Sequence, residues 1–248
     1  MRLVNPVHLF QAVARRIGFW PRGMWKSPSP GRIDFGDFKR LTPISREFGF
    51  DRGLPIDRYY IDRFLDQHAA DIRGRVCEVY DSAYTRRFGG NRVVRSDVLD
   101  IDATNSRATI VADLTSAADV PSGSFDCFIL TQTLQLIYDL HAAVRSLHRI
   151  LKPGGVLLAT IPGVSQIDRY NCADTWCWGF TKVSARRLFE QSFRAEDLEV
   201  AAHGNVLSAI SFLEGVATQE LRPDELDHVD PCYELLITIR AVKSSAES

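Results

Sequence analysis

The sequence predicts an α/β fold built around a parallel sheet, and two neighbouring segments carry that prediction. Leu147–Gly163 joins the end of a helix, a tight turn and an apolar strand, Val156–Ile161. A second apolar run, Phe125–Leu130, precedes the helix. The order strand, helix, strand with a short return is typical of parallel strands, and an apolar run without alternation indicates burial on both faces.

The helix between these strands has the clearest local signals. Leu140, Val144, Leu147 and Leu151 recur on one face, and Asp139 is in position to cap the first turn. Pro153 is expected to stop the helix. The pair Gly154-Gly155 is expected to supply the positive φ angles of the turn.

The remaining elements follow from apolar patterning and turn signals along the chain. Further helices are predicted at Asp57–Ile72, capped by Asp57 and ended by Gly74, at 181–193, capped by Thr181, and at Asn205–Leu221. Further strands are predicted at Arg75–Tyr80, Arg92–Ser96, Thr109–Ala112, Leu198–Ala202 and Glu234–Val242. Pro162–Phe180 is a long aromatic-rich loop, of the kind that usually forms a lid or a binding surface.

Composition and charge divide the 248 residues into unequal parts. Residues 1–40 hold eight Lys and Arg against two Asp, although the whole chain has a net charge of −1. We predict a basic and aromatic extension over residues 1–50, one domain over 51–243 and a short tail over 244–248. Residues 1–25 suit either an arm folded over the domain or a segment that contacts an anionic membrane surface or a partner enzyme.

Several classes of protein are disfavoured by the same sequence. Five cysteines without any C-x-x-C pair favour a reduced, cytoplasmic protein without a metal site. No apolar run reaches the roughly 18–20 residues that span a bilayer. Basic residues form no stripe outside the amino-terminal part, so a nucleic-acid partner is not expected.

Acidic residues follow three predicted strands in succession: Glu78 and Asp81 at the first, Asp97 at the second and Asp113 at the third. In an open parallel sheet, ligands bind beyond the carboxyl ends of the strands. Carboxylates at that edge can accept hydrogen bonds from ribose hydroxyls, an exocyclic amine or an ammonium group, although such residues also cap turns. Three in a row favour a ligand that resembles a nucleoside.

Two segments resemble the class I S-adenosylmethionine-dependent methyltransferases, and within them a bacterial group that acts on small molecules and glycans. FDCFILTQTLQLIYDLHAAVRSLHRILKPGGVLLATIPG (Phe125–Gly163) is similar to their fourth strand, helix and fifth strand, and WGFTKVSARRLFE (Trp178–Glu190) to a later helix start. The resemblance covers roughly residues 52–242. It implies a Rossmann-like, mostly parallel seven-stranded sheet with helices on both faces and a reversed last strand.

The resemblance also implies S-adenosylmethionine as cofactor and a set of residues that bind it. Glu78 and the loop with Tyr80 and Asp81 would hold the methionine end. Asp97 would bind the ribose hydroxyls and Asp113 the adenine amine, with Leu114 on the ring. Thr131 and Gln132 would line the methionine side, and Arg58, Tyr59 and Tyr60, on a helix that covers the cofactor, would reach its carboxylate or sulfonium.

The chain departs from the family pattern in the loop after the first strand. The family has E-x-G-x-G-x-G, whereas this chain has Tyr80, Ser82 and Tyr84 at the three glycine positions.

Two hypotheses about the function follow. The protein transfers a methyl group to a hydroxyl of a small molecule, sugar or glycan precursor, or it is a non-catalytic binding or scaffold protein that retains the fold. A nicotinamide-dependent oxidoreductase is disfavoured, since G-x-G-x-x-G is absent.

The sequence assigns no catalytic base and leaves the oligomeric state open. Asp168, Tyr170 and His203 lie in or beside loops expected at the ligand edge of the sheet, so they are the candidates. His141 and His148 lie on the predicted helix away from that edge, and His68 lies on an apolar helix face that favours packing. Direct displacement at a methyl group can proceed largely through alignment of the reactants.

Overall fold

A computed structural model of the protein describes residues 28–169, 172 and 174–245. The chain divides between Arg40 and Leu41 into two units. The described part of the first unit, residues 28–40, contains one 3-10 turn, Gly36–Phe38. The contact predicted for residues 1–25 with a membrane or a partner enzyme lies outside the described residues, as does the end of the tail.

The second unit is built on a sheet of seven strands in the order β3-β2-β1-β4-β5-β7-β6. All neighbours are parallel except β7, which is antiparallel to β5 and to β6. The predicted seven-stranded sheet with a reversed last strand is therefore confirmed. The strands are β1 Gly74–Val79, β2 Val93–Asp100, β3 Ile110–Val111, β4 Phe125–Thr131, β5 Leu151–Pro162, β6 Leu198–His203 and β7 Leu236–Val242.

Five α-helices lie in the described part of the chain: α1 Ile56–Gln67, α2 Leu140–Ile150, α3 Lys182–Phe189, α4 Val206–Glu214 and α5 Pro223–Asp227. Short helical turns connect several strands, among them Thr85–Gly89 and Gly90–Arg92 between β1 and β2. The short sequence between those strands leaves no room for a longer helix. None of the described helices has the length and apolar character needed to cross a bilayer.

Side-chain caps fix the start of three helices. Asp139 accepts a hydrogen bond from the Ala142 amide at α2, as the sequence predicts. Thr181 at α3 and Asn205 at α4 each form a reciprocal capping box with the serine three residues later. Such caps satisfy amides that would otherwise lack a partner and contribute about 1 kcal/mol each.

Three helix boundaries differ from the prediction. Helix α1 has Pro55 at its cap position, so Asp57 lies within the first turn, and the helix ends at Gln67 instead of continuing to Ile72. Helix α4 ends at Gly215, which adopts a left-handed conformation with φ 71°. Apolar residues after it, such as Ala217, are buried without being helical, which explains why the pattern appeared to continue. Helix α3 likewise ends at Phe189 rather than at Phe193.

The turn before β5 also differs in detail. Helix α2 ends at Ile150, and β5 begins at Leu151, two residues before Pro153. Gly154 has φ +77°, as expected, whereas Gly155 has no positive φ. Gly155 is required by space, because a Cβ there would lie 2.9 Å from the backbone oxygen of Phe125.

The core lies on both sides of the sheet. One face of the strands packs with residues of α2 and α3, and this cluster includes Phe125, Phe128 and Leu157. Ile129 and Leu158, which directly follow Phe128 and Leu157, are fully buried as well, and they point to the opposite face because side chains alternate along a strand. The burial of both faces explains the unbroken apolar runs of β4 and β5.

Candidate active site

A cavity of about 720 Å³ lies at the carboxyl ends of the strands, and we call it the rim cavity. Its volume is within the range of small-molecule sites. It is lined by residues that follow β1, β2, β3 and β4, together with parts of the segment before α1 and of the loop after β5. These residues are Phe50, Arg58, Glu78, Val79, Tyr80, Asp81, Ala83, Tyr84, Leu99, Asp100, Ile101, Ala112, Asp113, Leu114, Thr131, Gln132, Thr133, Leu136, Ile137 and Thr175.

Eight of the eleven residues predicted from the sequence line this cavity, and three do not. The eight are Arg58, Glu78, Tyr80, Asp81, Asp113, Leu114, Thr131 and Gln132. Asp97, Tyr59 and Tyr60 lie elsewhere. The Tyr59 hydroxyl is 2.7 Å from Asp227, and the buried Tyr60 donates to the backbone oxygen of Leu226. Both tyrosines therefore connect α1 to α5 by hydrogen bonds and lie away from the rim cavity.

Asp97 is displaced from the cavity because β2 is longer than predicted. The strand continues to Asp100, so Asp97 lies within it, opposite Cys77 of β1. Its carboxylate is 1% exposed and accepts hydrogen bonds from Arg75 and Arg95. Burial alone would raise the pKa of this carboxyl, but the two arginines outweigh burial and lower it. The prediction that Asp97 is the acidic residue at the strand end is therefore wrong.

Asp100 occupies the position that the sequence analysis gave to Asp97. It is the last residue of β2 and lines the rim cavity. Its carboxylate accepts a hydrogen bond from the Asp102 amide at 3.0 Å and one from the Asn105 side-chain amide at 2.6 Å. A carboxylate has about four acceptor positions, so it can still accept two hydroxyls. The apolar pair Val98-Leu99, directly before Asp100, was the signal that could have located the strand end.

Glu78 is buried and holds the loop that follows β1. Its oxygens accept hydrogen bonds from the Tyr84 amide at 3.1 Å and from the amide and hydroxyl of Thr85, each at 2.7 Å. Burial raises the pKa of this carboxyl, although the hydrogen bonds oppose the effect. In this structure Glu78 organises the start of the helical turn Thr85–Gly89 and forms part of the cavity wall.

The loop after β1 adopts a left-handed backbone conformation at the first glycine position of the family pattern, although it has no glycine there. Tyr80, at the first glycine position of the family pattern, has φ 73°, and Gln132, across the rim cavity, has φ 48°. Left-handed backbone costs an L-residue roughly 1–2 kcal/mol. The Tyr80 side chain is 63% exposed, so it does not fill the cavity. Left-handed backbone therefore occurs at two residues that line this cavity, and such strain is often found at functional sites.

The strain at Tyr80 leads to a stability prediction. We expect Tyr80→Gly to be more stable than Tyr80→Ala by about 1 kcal/mol, because both variants lose the ring but only glycine adopts positive φ without a steric penalty. Urea unfolding of the two variants measures the difference. Equal stabilities would contradict a left-handed Tyr80.

A second cavity, of about 780 Å³, lies beside the rim cavity, and we call it the adjoining cavity. The two share four lining residues: Phe50, Arg58, Gln132 and Leu136. The other lining residues of the adjoining cavity are Arg46, Glu47, Phe48, Asp57, Gln135, Pro162, Ser165, Asp168, Cys172, Trp176, Phe212, Leu235 and Leu236. Its lining therefore combines aromatic rings with polar side chains.

Arg58 stands between the two cavities. It lies in the first turn of α1, its guanidinium carbon is 5.6 Å from the centre of the Phe50 ring, and its Nη1 atom is 3.3 Å from the carboxylate of Asp57. Burial lowers the pKa of Arg58, whereas the neighbouring Asp57, Tyr84 and Asp62 raise it. The three neighbours together outweigh burial, so the net shift of the pKa is upward. The guanidinium therefore stays charged at the junction.

The candidates for a catalytic base are dispersed. Asp168 lines the adjoining cavity, and Tyr170 lies outside the described residues. His203 is 3.0 Å from the Thr238 hydroxyl and stacks on Tyr60, and burial lowers its pKa. His203 therefore lies with the packed side of α1, apart from both cavities. His148 packs against Phe193, and His141 lines a separate groove beside α3.

The geometry can be compared with that of known proteins. Residues 69–159 match the family model of a methyltransferase domain. No curated protein matches the chain in sequence. A SAM-dependent methyltransferase from Archaeoglobus fulgidus is similar in structure, with a TM-score of 0.50, 12% identity, and 75% of this chain and 94% of that chain covered.

A second similar structure is a protein from Galdieria sulphuraria that is provisionally described as a sarcosine dimethylglycine methyltransferase. Its TM-score is 0.52 at 13% identity, and 75% of this chain and 86% of that chain are covered. At such low identity these two structures support the fold alone. The strand order and the match over residues 69–159 agree with each other. Residues 69–159 are therefore similar to a methyltransferase domain, and the fold of the described chain is consistent with that similarity.

Proposed function

We propose that the protein is a class I S-adenosylmethionine-dependent methyltransferase that transfers the methyl group to a hydroxyl of a small molecule, and that a sugar or glycan precursor is the preferred acceptor. The observation that carries the proposal is the junction of two cavities of similar size, which share Phe50, Arg58, Gln132 and Leu136. Cofactor in the rim cavity and acceptor in the adjoining cavity would meet at this junction.

The residues of the rim cavity fit the cofactor. In our assignment Asp100 accepts the ribose hydroxyls, Asp113 accepts the adenine amine, and the buried Leu114 packs on the adenine ring. The Arg58 Nη1 atom is buried and, apart from its ion-pair contact with Asp57 at 3.3 Å, makes no hydrogen bond among the described residues, which suits the methionine carboxylate. Thr131 and Gln132 line the remaining wall.

The adjoining cavity fits a hydroxylated acceptor. Phe48, Trp176 and Phe212 offer ring faces on which the apolar side of a sugar can pack. Gln135 and Ser165 offer hydrogen-bonding groups between them. Pockets with apolar walls and a few polar groups are typical of small-molecule sites, because the polar groups fix the orientation of the ligand.

The reaction depends mainly on alignment. When bound, S-adenosylmethionine supplies a methyl group activated by the sulfonium. The chain's own residues hold the acceptor oxygen in line with that methyl group and exclude water from the junction. Well-oriented reactants can account for about 7–11 kcal/mol of a reaction barrier.

Calorimetric titration with S-adenosylmethionine and S-adenosylhomocysteine tests the cofactor assignment. We expect saturable binding of both. Incubation with methyl-labelled S-adenosylmethionine and a set of methyl glycosides, nucleotide sugars and catechols then tests the acceptor class. Label on a hydroxyl oxygen supports the proposal, whereas binding without transfer to any hydroxyl favours the non-catalytic hypothesis. Failure to bind either cofactor form would contradict the rim-cavity assignment.

A further inference from the structure

Polar atoms without hydrogen-bond partners cluster at the adjoining cavity. Among the described residues, Asp57 Oδ1 and Gln135 Oε1 are buried and accept no hydrogen bond, although both side chains line this cavity. Asp57 is 7% exposed and Gln135 2% exposed. Most buried polar groups in proteins have a partner, so such exceptions often mark a functional site. Both of these atoms are acceptors, which points to a ligand that supplies donors.

The local fold keeps the Asp57 carboxylate available. Because Pro55 holds the cap position of α1, Asp57 lies in the first turn, where its carboxyl interacts with the backbone amides of Asp57 and Arg58. Its Oδ2 atom faces Arg58 Nη1 at 3.3 Å, which leaves Oδ1 unengaged. Rotation about the last side-chain torsion of an aspartate is broad and roughly two-fold, so either oxygen can turn toward a ligand.

We infer that Asp57 accepts the proton of the acceptor hydroxyl and that Gln135 accepts a hydrogen bond from a second donor of the same molecule. This inference rests on the proposed function and deepens it. It narrows the acceptor to a molecule with at least two neighbouring donor groups, such as a vicinal diol of a sugar.

Methyl transfer to the acceptor hydroxyl forms one bond and breaks another. The hydroxyl oxygen forms a bond to the methyl carbon while the bond between that carbon and the sulfonium sulfur breaks. The electron pair of the broken bond stays on sulfur, which becomes the neutral thioether of S-adenosylhomocysteine. The hydroxyl proton moves to Asp57, which later releases it to water. Arg58 lies beside Asp57 and lines both cavities, so it can hold the carboxylate in position while it contacts the cofactor.

The electrostatics of Asp57 suit a base. Burial raises the pKa of the carboxyl, and the Arg58 charge opposes that effect. A raised pKa brings a carboxylate closer to the range of an effective general base. The other ionisable groups that interact with it are Asp62 on the same helix and Tyr84 of the loop after β1. Arg46, Glu47, Asp168 and Cys172 line the same cavity. Activity should therefore increase with pH as Asp57 loses its proton.

The test compares Asp57→Asn with a matched control, Asp62→Asn. Asp62 lies on the same helix, is paired with Arg87 at 2.7 Å and lines neither cavity. With a methyl glycoside that the native protein labels, we expect Asp57→Asn to lower kcat by about 10²–10⁴-fold. Affinity for S-adenosylmethionine should be unchanged, and the acid limb of the pH profile should disappear. Asp57→Glu should restore part of the activity. The control should keep the native kcat, with its acid limb shifted only toward lower pH because the Asp62 charge raises the pKa of Asp57.

Stability measurements show whether the variant is folded and require no acceptor. Because the folded-state pKa of Asp57 is raised, its contribution to stability is present at pH values below the unfolded-state pKa and is lost as pH rises through the folded-state pKa. We therefore expect Asp57→Asn to have a higher Tm than the native protein at neutral pH, with the difference vanishing in acid.

The possible results distinguish failure of the Asp57 inference from failure of the proposed function. A fully active Asp57→Asn would overturn the inference and leave the proposed function standing. A large loss of cofactor affinity in that variant would also overturn it, because Asp57 would then act only as a partner of Arg58. Transfer by the native protein to carboxylates or thiolates alone, or to no acceptor, would overturn the proposed function and this inference together.

Discussion

Replacement of Asp100 by alanine is expected to weaken binding of S-adenosylmethionine by roughly 10- to 100-fold. Hydrogen bonds to charged groups contribute about 1.5–3 kcal/mol each, and 1.4 kcal/mol is a factor of ten in affinity. Asp100 is the last residue of β2 and lines the rim cavity, where its carboxylate is oriented by Asp102 and Asn105. Calorimetric titration of the variant with S-adenosylmethionine measures the effect.

Asp97→Ala is the matched control, because it removes the same group three residues earlier in the same strand. We expect unchanged cofactor affinity and a loss of about 1.5–3 kcal/mol in unfolding free energy, since hydrogen bonds from Arg75 and Arg95 disappear. The lowered pKa of Asp97 means that its contribution is present above the unfolded-state pKa and is lost as pH falls through the folded-state pKa. Loss of cofactor affinity in Asp97→Ala, with native affinity in Asp100→Ala, would reverse our assignment.

Replacement of Phe125 by alanine is expected to lower the unfolding free energy by about 3–5 kcal/mol. The ring is fully buried, meets Phe128 edge-on at 5.9 Å between centres, and has the Arg75 guanidinium 4.8 Å from its own centre. Truncation is expected to leave a cavity in the core, and it removes an aromatic pair. Urea unfolding monitored by far-UV circular dichroism gives the change.

Val94→Ala provides the comparison for Phe125. Val94 is an apolar residue on β2 that is 88% exposed, so its truncation should change stability by less than about 0.5 kcal/mol. A loss at Val94 that matches the loss at Phe125 would mean that the strand faces are assigned to the wrong sides.

The strands and most helices could be predicted because their signals are local. The buried runs of β4 and β5 are apolar without interruption, and Asp139 and Thr181 stand directly before the helices that they cap. The number of strands and the reversed last strand followed from the family resemblance. Each of these features depends on residues close together in the sequence or on a known topology.

The site was less predictable, because it depends on where strands end and on contacts between distant segments. The first residues of β2 are half-buried or exposed, so their pattern does not reveal that the strand continues to Asp100. Pairing with β1 and β3 sets that end. The adjoining cavity combines residues near Phe48, Gln135, Trp176 and Leu235, and no local pattern relates these segments.

Tyr80 has a consequence for how such enzymes are recognised. A search that requires three glycines after the first strand would reject this chain, yet its main chain bends in the left-handed sense at the first of those positions. The backbone dihedral angles reveal the left-handed conformation at Tyr80, which the residue type does not indicate. If the proposed function holds, genome surveys that screen for the glycine motif alone will undercount methyltransferases whose loops achieve the same curvature with bulky side chains.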